Sequence, residues 1–88
     1  MAMYETREIK ELIPEDIRAV LWFMLQELDA PIPNHHFELI TENAKQKVIH
    51  TQKNTKYHRE FSFKCLEPIT ASVYIIGFDS GWLMMLQP

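Results

Sequence analysis

The hydrophobic and polar positions of this chain change period several times, and each change marks an element. Residues 14–29, PEDIRAVLWFMLQELD, carry Ile17, Val20, Leu21, Met24, Leu25 and Leu28 at the i, i+3, i+4, i+7 spacing of one buried helix face. Pro14 suits the first helical position, where a missing N–H costs nothing. Glu15 and Asp16 put negative charge at the positive end of the helix dipole. Pro31 and Pro33 end the run. Trp22 and Phe23 fall outside the stripe.

Elsewhere the period is two. The opening MYETREIK alternates weakly and reads as a short first strand. HHFELIT sets Phe37 and Leu39 against Glu38 and Ile40, and KVIHTQK returns after a polar turn at ENAKQ. Pairing Thr41 with Lys47 gathers Phe37, Leu39 and Ile49 on one face and makes His50 the neighbour of Glu38. YHREFSFKC places Tyr57, Arg59, Phe61, Phe63 and Cys65 on one face, with His58, Glu60, Ser62 and Lys64 on the other. ASVYIIGF and WLMML flank Asp79-Ser80-Gly81, which reads as a three-residue hairpin loop with Gly81 in the left-handed region.

The order β-α-β-β-β-β-β defines an α+β class. One amphipathic helix, about residues 14–29, packs on a curved, mostly antiparallel sheet of five to six strands in a single domain over 1–88. A helix about 10 Å wide does not cover so broad a sheet. Tyr74, Ile76 and Phe78 point away from Val73, Ile75 and Gly77. The second face therefore needs a cover: the sheet's own curl, a second copy or another protein.

The series from Arg7 through Leu28, with Ile13-Pro14, Leu21-Trp22 and Glu27-Leu28 inside it, is followed by QKVIHTQ and FDSGWLMML. In order and spacing it resembles the small bacterial proteins of domain of unknown function family 960, over nearly the whole chain. The resemblance implies a compact α+β fold. It brings no established activity and no catalytic residues.

Composition narrows the function. The chain is 47% apolar and 11% aromatic, which is globular and not disordered. Two glycines leave no room for a glycine-rich phosphate loop. Cys65 is the one cysteine, so no internal disulfide forms, as in a reducing cytosol. The N-terminus lacks the apolar core of a signal peptide, and the longest apolar run, broken at Asp79, is too short to span a bilayer. A cytoplasmic protein with no membrane partner is the expectation. The net charge is −3 but uneven: residues 1–43 hold nine acids and three bases, residues 44–64 six bases and one acid.

Candidate chemistry is sparse. No HExxH or CxxC spacing occurs, so neither a metal nor another cofactor is expected. The register above would gather His36, Glu38 and His50, either as zinc-type ligands or as a solvated polar face. Cys65 ends an alternating strand on its apolar side, where an inert thiol is the common outcome. Lys45, Lys47, Lys53, Lys56, Arg59 and Lys64 form a phosphate-contacting set, or else guard strand edges against aggregation. Arg18 with Trp22, and Tyr74, Ile76, Trp82 and Met84 of the terminal hairpin, are the candidate protein-contact residues. For Trp22 contact and core are equal readings, and for Phe23 core is preferred. The function expected is a non-catalytic protein–protein interaction module, with a homodimer as one form of it. The alternative is a nucleic-acid-associated accessory protein using the 45–64 hairpins. A metal-binding protein or enzyme comes third.

Overall fold

Two short-range signals set the first third of the chain. The Thr6 hydroxyl accepts a hydrogen bond from the Ile9 N–H (3.3 Å) and caps a helical turn. Pro14 then interrupts the helix and starts a second one. The computed structural model describes residues 2–28 and 33–87. Its elements are β1 (Ala2–Glu5), α1 (Arg7–Leu12), α2 (Glu15–Gln26), β2 (Asn34–Glu42), β3 (Lys45–Gln52), β4 (His58–Phe63), β5 (Ala71–Phe78) and β6 (Gly81–Leu86). The expected first strand thus stops at Glu5, and a second, short helix precedes the long one. Pro14 caps α2 from outside instead of opening it, and α2 ends at Gln26. Asp29, where the expected helix ended, lies outside the described residues. Ile9, Ile13, Ile17 and Leu21 recur every four residues and are all buried, so one stripe runs through both helices and the break.

The strands form one open six-stranded sheet in the order β1-β6-β5-β2-β3-β4. β1 runs parallel to β6, and every other pair is antiparallel. The sheet is therefore mixed, with β1 and β4 as its edges. Both helices lie on one face. Phe37, Leu39, Val48, Val73, Ile75 and Met84 rise from that face and are fully buried with the helical stripe.

Two turns depart from expectation. Asn43 and Ala44 both take positive φ (53° and 61°), the backbone of a two-residue hairpin, and Glu42 pairs with Lys45. The β2–β3 register is consequently one residue away from the expected one. Thr41 lies opposite Gln46, Leu39 opposite Val48 and Glu38 opposite Ile49. A one-residue slip turns a whole strand over, so Gln46, Val48 and His50 face the helices. The terminal hairpin is also a two-residue turn, with Phe78 opposite Gly81. Neither described glycine has a positive φ. Gly81 serves close approach instead, because a Cβ there would collide with the Ala2 carbonyl of β1. At Gly77 a Cβ would stand 2.7 Å from the Trp82 indole, so the glycine makes room for that ring.

Candidate binding face

The register decides which polar residues enter the core. Gln46 is buried, and its amide donates to the carbonyls of Ile40, Lys47 and Ile69 (3.1–3.2 Å). Its Oε1 accepts the Ile69 N–H at 2.7 Å. One side chain thus fastens the β4–β5 connection to the β2–β3 hairpin. His35 and His50 are buried too, with His35 Nδ1 3.0 Å from His50 Nε2. One of these nitrogens donates and the other accepts. Phe37 stacks on the His50 ring (centroids 4.2 Å apart), and Tyr57 meets it edge-on at 5.0 Å. Burial, then the charge of its neighbour His35 and of Arg59, pushes the His50 pKa down to about 3. His50 is therefore neutral at physiological pH.

Among the described residues, no helix lies on the opposite face. Over β1, β6 and β5 it is apolar: Tyr4, Leu83, Met85, Tyr74, Ile76 and Phe78 all project there. Tyr4 and Phe78 stack at 5.9 Å and are each 49% exposed. Over β2, β3 and β4 the same face carries half-buried Ile40 and Ile49 among polar side chains that pair with one another. Glu38 accepts the Ser72 hydroxyl (2.7 Å) and lies 3.4 Å from His36. Glu60 holds His58 (2.7 Å) and Lys47 (3.0 Å), and Glu42 lies 3.7 Å from Lys47. Hydrogen bonding to His58, then to Lys47, lowers the Glu60 pKa; Glu60, and then Glu42, raise that of Lys47. A groove of about 510 Å³ marks the boundary, between Asn34, His36, Thr51 and Lys53 on one side and Tyr74, Ile76 and Met85 on the other.

The residues singled out in the sequence are brought together only in part. Trp22 is buried and its Nε1 donates to Glu5 Oε2 (2.9 Å), while Arg18 pairs with Glu5 Oε1 (2.6 Å). Both tie α2 to β1, so the core reading of Trp22 is the structural one. Phe23, read as core, is instead 59% exposed. Trp82 and Met84 are buried under the helices, across from Gly77 and Ile75, whereas Tyr74 and Ile76 stand on the open face. Of the two candidate contact surfaces, Arg18 and Trp22 stay together at Glu5, whereas the terminal-hairpin set divides between the two faces, and Leu83 and Met85 take the places beside Tyr74 and Ile76.

His36 and Glu38 are on the open face but His50 is on the covered one, so the register correction separates that cluster. Among the described residues no three His, Cys, Asp or Glu side chains are grouped to hold a metal. The basic set divides as well. Lys47 is paired on the open face, and Arg59 reaches Glu27, at the C-terminal cap of α2, at 2.6 Å on the other. Lys45 opens β3 and Lys53 follows its last residue, Gln52, about 26 Å away at 3.3 Å per residue. Burial and the Asp16 carboxylate raise the Cys65 pKa, so this thiol stays protonated at neutral pH. Neither the histidine pair nor the Gln46 clamp was foreseen. The one signal for both is the turn, and Asn-Ala hides a hairpin that Asn-Gly would have announced.

These features define a class: an α+β domain whose open sheet is roofed by helices on one face and presents a part-apolar platform on the other. The chain belongs to the DUF960 family, described as a staphylococcal protein of unknown function, which it matches over residues 2–88. Its fold is similar to the crystal structure of a protein of unknown function from Enterococcus faecalis, with a TM-score of 0.83 and 14% identity over 97% of this chain and 86% of that one. No curated protein matches it. None of the described helices is long and apolar enough to cross a membrane.

Proposed function

We propose that this domain is a non-catalytic protein–protein interaction module whose contact surface is the apolar half of the open sheet face. The observation that carries this reading is the alternation in β5 and β6. Tyr74, Ile76, Phe78, Leu83 and Met85 repeat on the open side the apolar character that Val73, Ile75 and Met84 show on the covered side. Three strands at about 4.8 Å spacing give a strip close to the width of one helix. The occupant that fits is the apolar face of an amphipathic helix from another protein, as α1 and α2 fit the reverse side. The polar groups beyond the strip engage one another, which suits a rim better than a reaction centre.

Site-specific photo-crosslinking tests this. A cross-linker at Leu83 should give one discrete adduct whose cross-linked peptide is an amphipathic helix, and Ile76→Asp should abolish it. A cross-linker at Lys56 serves as control. No discrete adduct from Leu83, or an adduct that Ile76→Asp leaves unchanged, would overturn the reading.

A further inference from the structure

Among the described residues, no strand lies beside β4, the edge at the far side of the sheet from the apolar strip. In a two-residue hairpin the closing residues exchange both main-chain hydrogen bonds, and bonding then alternates along each strand. From Glu42 opposite Lys45, the residues of β3 that bond toward β4 are Gln46, Val48 and His50. Their partners Phe63, Phe61 and Arg59 bond inward, so His58, Glu60 and Ser62 direct their N–H and C=O groups off the sheet. The same counting agrees with the bonds from the Lys53 N–H to the Asn34 carbonyl and from the Gly77 N–H to the Pro33 carbonyl.

Apolar side chains flank this edge on the helix side. Phe61 is 44% exposed and stacks on Phe63 at 5.7 Å; Leu66, just past β4, is 99% exposed. Phe23, 59% exposed, is one turn before Glu27, which caps the C-terminus of α2 and holds Arg59 of β4, so Phe23 and Glu27 share a side of the helix. An edge strand of six residues that exposes an aromatic side chain is a template for another strand.

We propose that two copies of this chain join antiparallel through their β4 edges, with Ser62 of one opposite Ser62 of the other. Outward-facing residues have to meet one another, which leaves few registers. Centring the pair on Glu60 would oppose two carboxylates, and centring it on Phe61 would oppose His58 and Lys64. Centring on Ser62 places Glu60 opposite Lys64 of the second copy twice, and Phe61 opposite Phe63 twice. The aromatic pairs then fall at the non-hydrogen-bonded positions, where side chains approach most closely. A two-fold interface of this kind is self-complementary and closed. It goes beyond the proposed helix-binding face and does not depend on it.

Sedimentation across micromolar to submillimolar concentration tests the proposal, with amide exchange as second readout. The wild type should dimerise, and the Glu60 and Ser62 amides should gain protection as concentration rises. Ser62→Pro removes an N–H that takes no part in the β3–β4 ladder, so the fold survives at an edge position while dimerisation weakens at least about tenfold. Lys64→Glu, fully compatible with folding, should weaken it as well and make the residual dimer strengthen with salt. A wild type that stays monomeric overturns the proposal. So does a dimer that survives both variants but is lost in Ile76→Asp, which would locate self-association on the apolar strip.

Discussion

The two faces of the sheet are made by the same strands, often by neighbouring residues, yet they are held by different physics. On the covered face even polar side chains are buried, and each finds its place through hydrogen bonds: Gln46 through four, His50 through its ring neighbour His35. On the open face comparable apolar side chains remain half-exposed, and the polar ones settle into ion pairs at the surface. Side-chain type does not separate the faces in β5 and β6. The path of the chain does, because Glu5 fixes α2 over one side through Arg18 and Trp22.

The sharpest way to break this contrast is at adjacent isoleucines. Ile75 is fully buried beneath the helices. Ile75→Ala removes three methyl-scale groups from a packed site and should cost about 3 kcal/mol. In a domain whose whole stability is on the order of 5–15 kcal/mol, urea denaturation will show a large fall in midpoint. A loss under about 1 kcal/mol would mean that the helices do not pack as described.

The polar core comes next. Gln46→Met keeps the volume but leaves the Ile69 N–H and its carbonyl partners without their buried bonds, at a cost of about 2–3 kcal/mol. Amide exchange should accelerate first at Ile69, in the β4–β5 connection, before the sheet opens globally. Unchanged protection at Ile69 would show that the clamp is not what holds the connection.

Histidine burial predicts a pH effect of similar size. The unfolded chain binds a proton at His50 below about pH 6.5, whereas the folded state does not until about pH 3. The stabilisation is complete above pH 6.5 and is lost as pH falls through that window. From His50 alone the domain should be about 2 kcal/mol less stable at pH 5 than at pH 7. His50→Phe should flatten the stability slope between these values by about 0.7 proton on average. A slope unaltered by the substitution would place the proton uptake on other groups.

How much of this was legible in the sequence follows from range. The α2 stripe, with Ile17, Leu21, Met24 and Leu25 buried, and the alternation within β2, β4 and β5 were readable because neighbours in sequence fix them. The first helical turn at Thr6 was missed because Tyr4, Thr6 and Glu8 also alternate. Pairing between strands was not local information. A two-residue turn with Ala44 in the left-handed region moved the register by one, carried His50 and Gln46 inward and separated His36 and Glu38 from His50. The stripe leaves core and contact equal for Trp22 and misplaces Phe23, which is exposed, because it does not register Glu5, whose carboxylate draws the Trp22 indole inward. The division of Tyr74 and Ile76 from Trp82 and Met84 followed from period two alone, but their grouping as one contact set ignored it.

The smallest expected effect on stability is the most informative about function. Ile76 follows Ile75 in β5 and has the same side chain, but it projects from the open face among Tyr74, Leu83 and Met85. Ile76→Ala should cost less than about 1 kcal/mol, since the residue is only half-buried and no element packs over it in the described structure. The same substitution removes apolar surface from the centre of the proposed contact strip, where truncation at a well-packed interface costs about 1–2 kcal/mol of affinity. The paired measurement is unfolding midpoint against yield of the Leu83 cross-link. A lowered yield with an unchanged midpoint assigns Ile76 to binding. A midpoint that falls as far as in Ile75→Ala assigns both faces to the core of one folded unit and removes the open strip as a docking surface.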